Sequence, residues 1–151
     1  MSSTIKIKNL SRLERKLSKL PSDLLVPLRT QVYLSAESIR KTAVKGIQKG
    51  GRTGKFYTRG NKVAQRSAPG EYPKSDRSTL VKSIFTRPIS GLNKLAYKVG
   101  TRLKYGQYLE FGNSKMAPRP WLFPSFKENL RDIKKDIRRA VLKALKKGRG
   151  L

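Results

Sequence analysis

Nine carboxylates, no histidine and no cysteine are what this chain has for acid–base, nucleophilic or metal chemistry. The absent residue types exclude imidazole catalysis, thiolate attack, disulfides and Cys/His zinc sites together. Among the acids only Glu128, Asp132 and Asp136 recur, four residues apart. At that spacing they form one stripe of a helix, and Arg131, Lys135 and Arg139 stand three residues further on, where they pair with them locally. Flanking cations compete for these carboxylates, so the stripe does not read as a metal site. Glu110 lies among Tyr108, Leu109 and Phe111. It reads as a partly buried carboxylate held by backbone N–H groups or an arginine, with no partner base for general acid work. No catalytic, cofactor or metal residue is expected, and the chain is not expected to be an enzyme.

What remains is cationic chemistry. Lys and Arg total 36 against 9 acids, a net charge of +27 in 151 residues. Such a chain repels itself unless it meets polyanions or acidic protein surfaces. Arg52, Lys55, Arg59, Lys62 and Arg66 fall in glycine-punctuated segments, RTGKF and TRGNK, that can touch phosphates and are read as DNA-proximal. They lack the spacing of a phosphate loop. Phe56, Tyr57 and Tyr72 interleave with them, a pattern compatible with stacking on single strands or with anchoring a protein partner. No helix-turn-helix, zinc-finger or RNA-binding signature supports sequence-specific readout.

The length fits one domain with a modest core. No stretch approaches the roughly twenty apolar residues of a membrane span, and the N-terminus lacks a signal-peptide apolar run. A soluble protein made in the cytoplasm is expected.

The positioning elements follow from periodicity. Residues 4–8 alternate like a short strand, and Leu10, Leu13, Leu17 and Leu20 recur like a helix ending at Pro21. A second helix carries Leu28, Val32, Ala36, Ile39, Ala43 and Ile47, capped by Ser22 or Asp23, with Pro27 in its first turn and Gly50-Gly51 as its stop. Residues 50–78 show no period and read as a long mobile loop that orders against a neighbour. A helical turn over Thr79–Ile84 leads into strands at Phe85–Ile89 and Leu95–Val99, joined by a turn at Ser90–Asn93. Tyr105–Phe126 holds six aromatics with Pro118, Pro120 and Pro124. It reads as a helical turn, a reversal at Gly112-Asn113 and a rigid lead-in to a last helix, with Phe111 and Trp121 buried. That helix shows Phe126, Leu130, Ile133, Ile137, Val141 and Leu145, and stops at Gly148. The expected fold is α+β in a single domain, 1–151: a small antiparallel sheet, the hairpin near 84–100, packed against an N-terminal helix pair and a long C-terminal helix, with the mobile loop 50–78.

Two segments carry a resemblance. One is Ser67-Ala68-Pro69-Gly70-Glu71-Tyr72-Pro73, followed by Asp76 and by Leu80-Val81-Lys82-Ser83-Ile84. The other is Tyr105-Gly106-Gln107-Tyr108-Leu109-Glu110-Phe111-Gly112, followed by Met116-Ala117-Pro118-Arg119-Pro120-Trp121-Leu122 and Pro124. Their order and spacing are similar to the gene-product-ten-like family of lambdoid tailed phages, also called head–tail joining, tail-completion or minor tail proteins, over roughly residues 30–145. One departure stands out. Family members usually carry Asp-Thr-Gly before the Leu-x-x-Ser-Ile helix, whereas this chain has Asp76-Arg77-Ser78 and then Thr79.

The resemblance implies a non-enzymatic virion subunit at the head–tail junction. Such a subunit forms a homo-oligomeric ring that joins the connector or stopper to the tail tube, without a membrane, and lets DNA pass. Phe56, Tyr57, Tyr72, Tyr105, Tyr108, Glu110, Phe111, Arg119 and Trp121 are the expected contacts with neighbouring subunits or other neck and tail proteins. Non-specific contact with DNA in the channel falls to the basic set above. The alternative from another class is a general nucleic-acid-binding protein, ribosomal-type or a DNA-packaging accessory.

Overall fold

A computed structural model describes residues 21–75, 77–90 and 95–148. The strand and helix expected before residue 21, and Asp76, lie outside the described residues. Two long helices form the frame. Helix α1 spans Ser22–Lys49 and helix α4 spans Leu122–Gly148. Between them come a hairpin of β1 (Phe56–Arg59) and β2 (Lys62–Gln65), a short helix α2 (Thr79–Ser83), a hairpin of β3 (Phe85–Pro88) and β4 (Tyr97–Gly100), and helix α3 (Lys104–Phe111). Both hairpins are antiparallel, and they form two separate two-stranded sheets.

Helix α1 starts one residue before the expected caps. Pro21 is the N-cap, and its carbonyl accepts from the N–H groups of Leu24 and Leu25. Pro27 therefore lies in the second turn, not the first. It removes one backbone donor there without ending the helix. At the other end Gly50 has φ 59° and donates its N–H to the Gly46 carbonyl, the glycine stop that the sequence indicated.

The core is small. Ala43 and Ile47 of α1, Leu80 and Ile84 around α2, and Trp121 at the entry to α4 form its buried centre, with Val44, Tyr72, Val99 and Leu109 packed around them. The β3–β4 hairpin supplies one wall. Thr86 pairs with Val99 and Pro88 with Tyr97 on the face toward α1, where the Tyr97 ring meets that of Tyr33 with centroids 5.5 Å apart. Phe85 and Arg87 share the opposite face, and the Arg87 guanidinium lies 5.0 Å from the Phe85 ring centre. Pro88 closes the strand at its end, as a proline on a two-stranded edge must.

Helices α1 and α4 meet along a polar seam. Asn129 of α4 accepts from Ser38 Oγ at 2.6 Å and donates to Thr42 Oγ1 at 2.9 Å. Ser125 is fully buried beside it. The buried face of α4 thus includes Ser125 and Ala144, while Phe126 and Leu145, expected inside, are exposed. Small residues win these positions because the two helices approach closely, and a large side chain at the contact would force them apart.

Residues 50–78 are not a structureless loop. β1 and β2 pair in register from Phe56↔Gln65 to Arg59↔Lys62, closed by the two-residue turn Gly60-Asn61 with Gly60 at φ 57°. The stretch after β2 returns to α1: the Gly51 N–H donates to the Tyr72 carbonyl, and the Ser75 N–H to that of Ile47.

Ser78, at the N-cap of α2, has φ 57° and ψ 9°, a left-handed conformation. The Ser78 side chain makes no capping bond in return. An L-residue held there costs about 1 kcal/mol relative to glycine. Ser78→Gly is therefore expected to raise the melting temperature by about 2–4 °C, measured by circular dichroism. A lower melting temperature would show that Ser78 holds a contact worth more than its backbone strain.

Candidate interaction surface

The two segments that carry the resemblance, some fifty positions apart in the chain, are bonded to each other. The Gly70 N–H donates to the Pro118 carbonyl at 2.9 Å, and Arg119 Nε donates to the Ser67 carbonyl at 3.0 Å. Tyr72 extends the link. Its ring covers Gly46 on α1, where a Cβ would collide with it, and its hydroxyl lies 3.0 Å from Ser125 Oγ on α4. The Ala-Pro-Gly-Glu-Tyr-Pro segment thus clamps both long helices to the aromatic segment.

Within the clamp Glu71, Glu110 and Trp121 each have bonding partners. Glu71 accepts from the Ala68 N–H at 2.7 Å and from Thr53 Oγ1 at 2.8 Å, closing the turn and tying it to the base of the β1–β2 hairpin. These bonds hold its carboxyl below the usual carboxylate range, the Ala68 N–H contributing most. Glu110 accepts from the N–H groups of Trp121, Leu122 and Phe123, each at 2.8 Å. A carboxylate on α3 therefore caps the first turn of α4, the place where a helix has unpaired donors and a positive dipole end. Trp121 is 2% exposed, and its indole N–H donates to the Gly106 carbonyl at 3.0 Å. Gly106 is needed there, because a Cβ would run into Thr101 and Leu80.

Tyr72, Glu110, Arg119 and Trp121, expected as contacts with neighbouring subunits, each make hydrogen bonds within the chain. The reading of Glu110 as a carboxylate held by backbone N–H groups matches the structure. Phe111 is corrected: expected buried, it is 72% exposed. The reason is that Gly106 and Leu109 occupy the inner face of α3, which leaves Tyr105, Tyr108 and Phe111 outside. Phe123 and Phe126 on α4 are also exposed. The Phe123 N–H bonds to Glu110, the residue preceding Phe111, so these exposed rings, together an aromatic ledge, belong to two helices joined at one junction. Helical spacing alone offered no means to tell this outward face from the inward one.

The basic set lies elsewhere. Arg52, Lys55, Lys62 and Arg66 are exposed along the β1–β2 hairpin, and Arg59 occupies its last β1 position. The Arg66 guanidinium sits 4.7 Å from the centre of the Tyr57 ring, so Tyr57 is partly covered by its own hairpin. Phe56 remains 70% exposed. Of the acidic stripe on α4, Asp136 pairs with Arg139 at 3.3 Å. An ion pair that the sequence reading overlooked, Glu37 to Arg40 at 2.8 Å, is the better formed one, with the guanidinium gripping both carboxylate oxygens. The i,i+3 spacing on α1 was its available signal.

Chemically, the arrangement joins and holds. Among the described residues no group of three or more Asp, Glu, His or Cys lies together to hold a metal ion. An open depression of about 310 Å³ between α1, α2 and α3 is walled by Ile47, Leu80 and Tyr105 and rimmed by Lys74 and Arg77. Among the described residues no helix is long and apolar enough to cross a membrane. Compared with protein-family models, curated proteins and solved structures, the chain matches none.

The bonds on Glu71 and Glu37 make the fold acid-sensitive. Both carboxyls titrate lower in the folded chain than in the unfolded one, Glu37 because the Arg40 guanidinium bonds to it. Their stabilisation is complete above the unfolded value near 4.5 and is lost as the pH falls through the lowered folded values. Melting temperature is expected to drop as buffers are taken below that point. Glu71→Gln should flatten the acid limb, and an unchanged slope in that variant would rule Glu71 out as a contributor.

Proposed function

We propose that this chain is a structural subunit of a tailed-phage virion, forming a ring at the head–tail junction that joins the connector to the tail tube and lets DNA pass. The observation that carries the reading is the clamp: Gly70 to Pro118 and Ser67 to Arg119 make the two resembling segments one structural unit. Their joint occurrence is therefore a single signature with a physical reason for its order and spacing. The aromatic ledge supports the same reading. Tyr105, Tyr108, Phe111, Phe123 and Phe126 are five exposed rings on a strongly cationic chain, and exposed apolar groups gathered near one junction suit contact with other proteins.

At +27 the subunits repel one another, so the purified protein is expected to sediment as a monomer or weak oligomer at low salt. Acidic neck partners or DNA then promote the ring. The test is a tagged chain located in assembled particles by electron microscopy, with Phe111→Asp/Phe123→Asp as the variant. Label at the neck, lost in a variant that still melts normally, is the expected result. Label anywhere else in the particle, or normal incorporation of the double variant, would overturn the assignment.

A further inference from the structure

The β1–β2 hairpin is the part of the molecule that the clamp and the ledge leave unexplained. It pairs with itself, and the ladder continues at its base through Gly54 to Arg66 and Arg66 to Lys55. Neither strand packs extensively on another element. From Arg52 to Gly70 the chain carries five cations and no acid. Glu71, the first acid beyond it, is already bonded to Thr53 and Ala68. The register places Phe56, Thr58, Val63 and Gln65 on one face of the ribbon, and Phe56 and Val63 are each 70% exposed there. Tyr57 is on the other face, under Arg66, and Lys55 and Lys62 share that face.

A folded element with an uncompensated cationic perimeter and one bare aromatic face has a specific chemical complement. Charge alone would be met by any polyanion. The exposed Phe56 ring adds a flat apolar partner, and the polyanion that presents flat apolar rings beside its charges is a nucleic acid with unstacked bases. A closed duplex hides those faces in its stack. We propose that this hairpin is a single-stranded nucleic-acid-binding arm that a strand straddles at its edge, with Phe56 as the stacking platform for a base on one face and Lys55, Lys62 and Arg66, whose backbone positions belong to the other face, as the phosphate contacts along the edge. From Gly54 to its tip at Gly60 the arm is about 20 Å long at the rise of a strand, enough to follow a few nucleotides. The inference does not rest on the ring, because the arm and the aromatic ledge use different residues.

The test is fluorescence anisotropy on the full chain with a labelled oligothymidine of about 12 nucleotides, a duplex of the same length, and polyglutamate as competitor. The wild-type chain is expected to bind the single strand more tightly than the duplex. Phe56→Ala and Phe56→Leu should each weaken single-strand binding roughly tenfold and leave duplex binding unchanged, while Phe56→Trp keeps it. Lys55→Gln/Lys62→Gln should lower the salt slope by about 0.7 per cation removed. The control Lys134→Gln/Arg138→Gln, two exposed cations of α4, should change it less. Phe111→Asp/Phe123→Asp should have no effect, which separates failure of this inference from failure of the assembly reading. Unchanged single-strand affinity in Phe56→Ala, or displacement by polyglutamate as effective per charge as by oligothymidine, would overturn it. The first outcome would leave a charge-only surface, and the second an arm for acidic protein. The altered side chains are exposed, and thermal melts of each variant verify that the fold is kept.

Discussion

Trp121→Ala is expected to lower the free energy of unfolding by about 3–5 kcal/mol. The side chain is buried among Ala43, Ile47, Leu80 and Ile84, in a core too small to close over the space it would leave. Its indole N–H also donates to the Gly106 carbonyl, a hydrogen bond that the variant loses. A domain of this size has about 5–15 kcal/mol in all, so the loss removes a large share of the total. Trp121 is the chain's one tryptophan, so its own fluorescence reports unfolding of the wild type but not of the variant. Urea titrations followed by far-ultraviolet circular dichroism compare the two directly. Trp121→Phe should fall between them, since the ring volume is partly kept and the hydrogen bond is not. Phe111→Ala, ten residues earlier and on the outside of α3, should leave the midpoint nearly where it was. A loss below about 1 kcal/mol for Trp121→Ala would mean that the core does not depend on this ring.

Glu110→Ala is expected to cost about 2–3 kcal/mol. One carboxylate satisfies three backbone donors in the first turn of a 27-residue helix, and no other side chain in that turn is bonded in its place. Removing it leaves the Trp121 and Leu122 N–H groups facing a partly buried space, while that of Phe123 turns to water. Glu110→Gln keeps one carbonyl oxygen but sets an NH₂ group against N–H donors, so it should lie nearer to alanine than to wild type. Amide hydrogen exchange gives the local readout. Protection at residues 121–123 should fall in both variants, before protection in the middle of α1 does. If the three amides exchange as slowly in Glu110→Ala as in the wild type, the cap is not what holds the start of α4.

Much of the frame could be read from residue order. Leu28, Ala36, Ala43 and Ile47 set the helical stripe of α1, and Gly50 set its end. Alternation through Tyr97 and Val99 announced β4, and Pro88 announced where β3 must finish. Gly112-Asn113 announced the reversal, which the structure closes by paired hydrogen bonds between Asn113 and Met116. The β1–β2 hairpin was harder, because its four-residue strands, Phe-Tyr-Thr-Arg and Lys-Val-Ala-Gln, set their apolar residues side by side and give no alternation to count. Its signal was the Gly60-Asn61 pair flanked by Thr58 and Val63, a two-residue turn between short β-favouring segments.

What the sequence determined by itself is chemical stock and local geometry. It excluded thiol and imidazole chemistry, set the charge, and specified which backbone segments coil, extend or turn, because those depend on residues within a few positions of one another. Only the tertiary structure decided which aromatics face inward. Trp121 and Phe111 have similar local surroundings of proline, glycine and apolar residues, yet one is 2% exposed and the other 72%. The difference comes from what lies opposite each of them. The Gly106 carbonyl receives the indole N–H, and the Gly70–Pro118 and Ser67–Arg119 bonds tie the aromatic segment to the stretch that packs on α1 and α4. The same distant contacts turned Glu110 into a helix cap and brought Ser125 and Asn129 to the seam in place of Phe126. Burial depends on the partners a side chain meets across the fold, and such partners are not neighbours in the chain.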